Sequence, residues 1–179
     1  MTDRAPNLAY THSFSSPVGV LHAAVDKLGR VVCVGFGTEI ALPGRMIGQE
    51  NKYACGELEY QIEQYFTGDR QHFSLELRLE GTSFQKAVWS RLQKIGYGET
   101  VTYGEVAQRI GRREAARAVG NAVAANPVAI VVPCHRVIPA AGGIGHYARS
   151  ILEEEQGRTV KRFLLALESS RHAFSETAG

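Results

Sequence analysis

Two short apolar-rich runs open the recognisable pattern, Val18 to Val25 and Arg30 to Val34. Between them lies Asp26-Lys27-Leu28-Gly29, whose turn chemistry predicts a β-hairpin. From Cys55 to Phe66, Leu58, Ile62 and Phe66 recur at a spacing of four, the stripe of an amphipathic helix, and Gly68-Asp69 ends it. His72 to Leu79 then alternates. Phe73, Leu75, Leu77 and Leu79 fall on one side, with Ser74, Glu76 and Arg78 on the other, which predicts a half-buried strand. Gly81-Thr82 reads as a boundary. The expectation is a small α/β domain over 1–81 and a mostly helical domain over 82–179.

The second half carries helix signals. Thr82 and Gln85 are spaced as a capping box, followed by an apolar face of Phe84, Val88, Trp89, Leu92 and Ile95, with Trp89 read as core. Gly96-Tyr97-Gly98 breaks that helix. Thr102 and Glu105 form a second capping-box pattern, with Val101 and Val106 as its staple. The short helix that follows runs to Ile110, and Gly111 stands where a C-terminal cap belongs. After a short turn, Ala115 to Ala124 reads as a second helix. Two short helices around a glycine-containing turn make the helix-turn-helix pattern. Asn126-Pro127 stops the second helix, and the apolar run Val128 to Val132, bounded by Pro127 and Pro133, predicts a buried strand.

Composition narrows the class. The chain has 179 residues, 44% hydrophobic and 21% charged, which is ordinary globular usage. No stretch approaches the ~18 apolar residues of a membrane span. The first residues lack the basic-then-apolar layout of a signal peptide. Three cysteines are too few for a disulfide scaffold and suit a reducing, intracellular compartment. The net charge of +2 is unevenly spread: −3 over 1–82, +6 over 83–149 and −1 over 150–179. The basic middle is where a polyanion would be drawn.

The second short helix offers little to base edges. Val119 and Val123 share a core-facing side, whereas Arg113, Arg117 and Asn121 share another, among Ala116, Gly120 and Ala124. Major-groove readers usually present Arg, Lys, Asn or Gln. Small residues suit close approach to a minor groove, with one arginine able to enter the stack. They suit an ordinary packing helix equally well.

Candidate chemistry lies at Pro133-Cys134-His135-Arg136-Val137. A thiol reacts near neutrality only if its proton can be removed, and an adjacent imidazole or arginine helps. Neighbouring side chains on a strand point to opposite faces, so a shared site requires a turn or short helix over Pro133 to Arg136. Gly142-Gly143 nearby would let a ligand approach. Cys33 reads as core and Cys55 as structural. Neither has partners at metal spacing, so no zinc site or disulfide is implied.

Several motifs, in order, resemble the O6-alkylguanine-DNA alkyltransferases. They are Phe84-Gln85-Lys86-Ala87-Val88-Trp89, Gly98-Glu99-Thr100-Val101-Thr102-Tyr103, Ala116-Arg117-Ala118-Val119-Gly120, Asn126-Pro127-Val128 and Pro133-Cys134-His135-Arg136-Val137. Lys161 to Glu168 fits the family's closing helix, and Ser16-Pro17-Val18-Gly19 its first hairpin. The resemblance implies a ribonuclease-H-like N-terminal domain and a winged helix-turn-helix in the C-terminal one. It implies a monomer that repairs O6-alkylguanine in double-stranded DNA, with O4-alkylthymine as a further candidate, and does so once. The alkyl group passes to the protein's own cysteine, so no cofactor or metal is required.

By resemblance, Cys134 is the acceptor, His135 the base acting through a water, and Glu168 the group that orients the imidazole. Tyr103 donates to the base, and Arg117 fills the gap left when the nucleotide is flipped out. Asn126 ties the helix-turn-helix to the active-site segment, Ala116 and Gly120 line the minor-groove face, and backbone groups of Cys134, Val137 and Ala148 read the guanine edge. Tyr147 precedes the loop that walls the alkyl pocket. That loop departs from the family pattern: Ala148 to Val160 is longer and lacks a glycine pair. Arg149 could add a phosphate contact, while Glu153 to Glu155 would disfavour DNA nearby. The expectation is a changed substrate range with the reaction unchanged. A prokaryotic protein of this kind works in the cytoplasm and a eukaryotic one in the nucleus. The competing readings are a non-catalytic lesion-binding relative, a helix-turn-helix regulator and a Cys/His hydrolase.

Overall fold

A computed structural model describes residues 7–148 and 152–176. The chain divides into two compact units, Met1–Glu80 and Gly81–Gly179, and is mixed α/β.

The first unit is built on a four-stranded sheet. Strand β1 (Leu8–Ser16) is central, β2 (Gly19–Asp26) pairs with it antiparallel, and β3 (Val31–Gly35) pairs antiparallel with β2. Strand β4 (Ile47–Glu50) lies parallel to β1 at the other edge, giving the order β3-β2-β1-β4. The expected hairpin joins β2 to β3. Asp26 fixes its turn by accepting from the backbone N–H groups of Leu28 (2.9 Å) and Arg30 (3.1 Å), and Gly29 takes a left-handed φ of 78°. Ser16-Pro17-Val18-Gly19 forms the tip between β1 and β2.

Helix α1 (Gly56–Thr67) buries Leu58, Ile62 and Tyr65 and ends at Gly68, whose φ is 83°. The strand expected over 72–79 does not form. The segment is extended, but only Leu77 bridges a strand, at Val31. Gln61 of α1 explains this. Its side chain accepts from Ser74 N–H (2.8 Å) and reaches the Ser74 carbonyl (3.4 Å), occupying backbone groups that a ladder would use. The alternation survives as side-chain burial rather than as pairing.

The second unit holds four of the five α-helices among the described residues: α2 (Ser83–Leu92), α3 (Tyr103–Arg109), α4 (Ala116–Ala124) and α5 (Glu154–Glu176). Both capping boxes form. Thr82 accepts from Gln85 N–H, and Thr102 accepts from Glu105 N–H. Trp89 is fully buried and donates to the Ala122 carbonyl at 2.8 Å, tying α2 to α4. Between α3 and α4 the chain closes a Schellman turn. Gly111 N–H donates to Gln108 O and Arg112 N–H to Ala107 O, with Gly111 at φ 73°. A two-stranded parallel pair, β5 (Val101–Thr102) and β6 (Val137–Ile138), brings the start of α3 beside the residues that follow Cys134.

Two expectations are corrected here. Val128–Val132 is buried but is a turn, not a strand. Val132 N–H donates to Val128 O (3.0 Å), and Ile130 takes a left-handed φ of 70°. The long loop after Tyr147 is also shorter than it reads. Helix α5 starts at Glu154, so Glu154 to Val160 are its first turns. Glu154 and Glu155 suit a helix N-terminus, and Arg158 pairs with Glu154 at 2.6 Å one turn on. Arg149, to which a phosphate contact was assigned, lies outside the described residues.

Candidate active site

Cys134, His135 and Arg136 form one turn of 3₁₀ helix. With about three residues per turn, successive side chains diverge by roughly 120° rather than 180°. The thiol and imidazole can therefore serve one site, as the sequence required. Both are buried: His135 is fully enclosed and Cys134 is 7% exposed.

The thiol is held from the 126–132 turn. Asn126 Nδ2 donates to Cys134 Sγ (3.1 Å) and to the Val132 carbonyl (2.9 Å), while Asn126 Oδ1 accepts from Val128 N–H (3.1 Å). One amide thus shapes the turn and supports the sulfur. Burial pushes the Cys134 thiol above its ordinary range. The Asn126 hydrogen bond, the Lys161 charge and the Tyr147 hydroxyl act in the opposite direction. At neutral pH the resting group is therefore a thiol.

His135, the next residue, is paired with a buried carboxylate. Nε2 lies 2.7 Å from Glu168 Oε1. Glu168 is 1% exposed, and its acidity is raised to a pKa of about 2, since hydrogen bonds and charge from His135 and Arg136 outweigh its burial. An ionised carboxylate only accepts, so Nε2 carries the hydrogen and Nδ1 the lone pair. His135 Nδ1 is buried with no protein hydrogen-bond partner. Burial lowers the imidazole's pKa despite Glu168, leaving a neutral base near pH 7. Tyr147, itself buried, meets the ring edge-on at 6.4 Å between centroids.

Tyr103 opens α3, and its phenol is kept protonated by burial and by the neighbouring Cys134. Its ring passes close to α4 at Gly120, where an added Cβ would sit 3.8 Å away. On α4, Ala116 is half-buried and Arg117 and Asn121 are exposed, as is Arg113 just before the helix. Val137 is buried, and its carbonyl accepts from Lys161 Nζ at 2.6 Å. Ala148 takes a left-handed φ of 50°, and its carbonyl accepts from Leu152 N–H.

The structure thus gathers Cys134, His135, Glu168, Asn126, Tyr103, Tyr147 and Val137 into one cluster. Ala116, Arg117 and Gly120 lie along α4, and Ala148 leads into the undescribed segment. Cys33 and Cys55 are buried free thiols in the first unit, both pushed up to about 11 by burial.

Two residues of the site carried no assigned role in the sequence. Lys161 is fully buried and lowered to about 8 by that burial. Arg136 donates to Glu168 from Nε and Nη2, both at 2.9 Å. A signal for Lys161 was available. The buried stripe of α5 runs Gly157, Val160, Lys161, Leu164, Glu168, and a lysine and a glutamate on an apolar stripe are costly unless they are used.

A family model described as the DNA binding domain of 6-O-methylguanine DNA methyltransferase matches residues 83–170. A methylated-DNA–protein-cysteine methyltransferase of Methanosarcina acetivorans is 44% identical over 164 residues, spanning 90% of this chain and 99% of that protein. The chain belongs to this methyltransferase family. A Mycobacterium leprae member is 43% identical over 169 residues, covering 92% and 94% of the two chains. Among solved structures, the O6-methylguanine methyltransferase of Mycobacterium tuberculosis superposes with a TM-score of 0.77 at 38% identity, over 91% of this chain and 94% of that one. A DNA complex of the M. tuberculosis protein matches with a TM-score of 0.77 at 39% identity, over 92% and 94%.

Proposed function

We propose that this methyltransferase repairs O6-alkylguanine in double-stranded DNA by moving the alkyl group irreversibly to Cys134. The observation that carries the reading is the buried thiol held by Asn126 beside the His135–Glu168 pair. In the transfer, Sγ forms a bond to the alkyl carbon as the bond from that carbon to guanine O6 breaks. The thiol proton passes through a water to His135 Nδ1, and Glu168 orients the ring by accepting from Nε2. The departing guanine accepts a hydrogen bond or proton from the Tyr103 hydroxyl. A thiol with a raised pKa and an imidazole with a lowered one exchange a proton unfavourably at rest. Proton transfer therefore accompanies attack, which keeps the thiol inert towards other electrophiles.

Helices α3 and α4 form the DNA-binding helix-turn-helix of a winged type, within a C-terminal acceptor domain over 82–179. The N-terminal domain over 1–81 is ribonuclease-H-like. The methyl and backbone surface of Ala116 and Gly120 suits the minor groove, and Arg117 enters the stack as the target base leaves it. Val137 and Ala148 offer backbone groups to the guanine edge. The protein acts as a monomer in a reducing intracellular compartment, where three free cysteines persist. The segment after Ala148 tunes alkyl size, and a version shortened there is expected to change the ratio of methyl to benzyl transfer.

Incubating the protein with excess duplex carrying O6-methylguanine tests the reading. Product is expected to plateau at about one transfer per molecule. Continued turnover would indicate a hydrolase, and tight binding without transfer a lesion-binding protein.

A further inference from the structure

Arg136 is anchored at every donor that matters to its orientation. Nε and Nη2 grip the two oxygens of Glu168, Nη1 donates to the Ile95 carbonyl at 2.6 Å, and the guanidinium lies 5.8 Å over the Tyr97 ring. Glu168 therefore has two basic partners, and Gly98 N–H (3.1 Å) as a further donor.

The charge balance matters more than the count. A buried carboxylate alone with an imidazole is neutral overall when the imidazole is protonated, so it stabilises imidazolium and would spoil a base. Here Glu168 and Arg136 already balance each other. Adding a proton to His135 would leave a net positive charge in a closed site that also holds the Lys161 ammonium.

We propose that Arg136 is a positioning residue of the transfer reaction. By neutralising and clamping Glu168, it leaves that carboxylate able to orient His135 without holding the ring in its protonated form. The proposal rests on His135 acting as the base in alkyl transfer.

The groups facing His135 agree. From α5 come Glu168, which favours the protonated ring, and Lys161, which opposes it. From its own turn comes Arg136, which opposes it, with the neutral Cys134 thiol adjacent in the chain. From the 144–148 segment the uncharged Tyr147 ring meets it edge-on, while His146 faces Glu154. Among the described residues that act on its charge, Glu168 is the single anion against two cations, and Arg136 is the cation in direct contact with it.

The test is a single-turnover pH profile of methyl transfer from O6-methylguanine duplex, with Arg136→Gln, Arg136→Lys and His135→Gln beside the native protein. Far-UV circular dichroism and Trp89 emission would establish folding. Arg136→Gln is expected to move the acidic limb upward by about one pH unit or more. Arg136→Lys, which keeps the charge, should leave the limb in place while lowering the rate at every pH. In Arg136→Gln, a limb that stays put, with or without a uniform loss of rate, would overturn the proposal.

The underlying reading fails separately. If His135 is not the base, the native protein shows no acidic limb that His135→Gln removes. Imidazole ¹⁵N titration of His135 in the DNA-free protein reads the same quantity without the reaction, and a higher midpoint in Arg136→Gln is expected. Should Arg136→Gln not fold, Arg136→Lys decides by this titration. An unchanged midpoint together with a lowered transfer rate supports the proposal, and a native rate, or a rise of about one pH unit or more, overturns it.

Discussion

Replacing Asn126 by alanine removes one side chain that serves two tasks. Its amide donates to the Val132 carbonyl and the Cys134 sulfur, and its oxygen accepts from Val128 N–H. The carbonyl of Val132 keeps a second donor in Cys134 N–H at 2.8 Å, so its loss is partial. Val128 N–H loses its acceptor in a fully buried residue. The bonds to the Val132 carbonyl and the sulfur at about 0.5–1 kcal/mol each, plus about 1–2 kcal/mol for the stranded Val128 N–H, give a destabilisation of roughly 3 kcal/mol. Urea unfolding followed at Trp89, the only tryptophan and a buried residue of the second unit, reads this directly. With a slope of roughly 2 kcal/mol per molar urea, the midpoint should fall by about 1.5 M. Asn126→Asp separates the donor from the acceptor. It keeps the bond from Val128 N–H but turns a carboxylate towards the Val132 carbonyl and the sulfur, so it should be no more stable than the alanine variant at pH 7. A midpoint within about 0.3 M of the native value for either variant would refute the argument.

Four further outcomes follow from the same geometry. Glu168 is held at about 2, below its ordinary 4.5, so the stability it contributes is complete above about pH 4.5 and is lost as pH falls towards 2. Glu168→Gln should abolish that acid-dependent part, and parallel native and variant melting curves between pH 5 and about 2.5 would contradict it. Lys161 is lowered to about 8, so its burial cost is relieved as pH rises from about 8 to 10.5. The stability difference between native protein and Lys161→Met should therefore shift in favour of the native protein across that window, measured by urea titration at each pH. A Cβ at Gly157 would collide with the Tyr147 carbonyl, a backbone atom, so Gly157→Ala should cost about 1–3 kcal/mol, read from its denaturation midpoint. Arg117→Ala should slow repair in duplex DNA more than reaction with a free alkylated base, and equal slowing on both substrates would remove the flipping role.

Local signals in the chain translated well where one short segment decides the outcome. Thr82 with Gln85 and Thr102 with Glu105 each need only a four-residue window, and both capping boxes form. Gly111 likewise carries its own conformational reason. Periodicity was less decisive where a distant side chain competes for backbone groups. Phe73 to Leu79 alternates like a strand, but Gln61 takes the polar groups of Ser74. Val128 to Val132 is apolar like a buried strand, yet Asn126 folds it into a turn from the inside. An apolar run alone does not distinguish the two. Strands β1 and β4 went unread. The first carries Thr11, His12, Ser13, Ser15 and Ser16 among its apolar residues, and the second is a four-residue edge that is exposed throughout.

At the site, Cys134-His135 was legible as a pair, but the partners that set their chemistry lie far along the chain. Glu168 is 33 residues beyond His135, and its place came from resemblance rather than spacing. Arg136 stood in plain view within the motif. Its role depends on sharing Glu168 with His135, which only three-dimensional placement reveals.

The central claim is that Cys134 ends the reaction carrying the alkyl group. Duplex DNA with one O6-methylguanine, labelled at the methyl, is incubated with a known amount of native protein or Cys134→Ala, and the label is mapped by peptide mass spectrometry. The account predicts about one label per native molecule, on the peptide containing Cys134, and none on a Cys134→Ala protein that still binds the DNA. Label on another residue, or transfer surviving in Cys134→Ala, would contradict it.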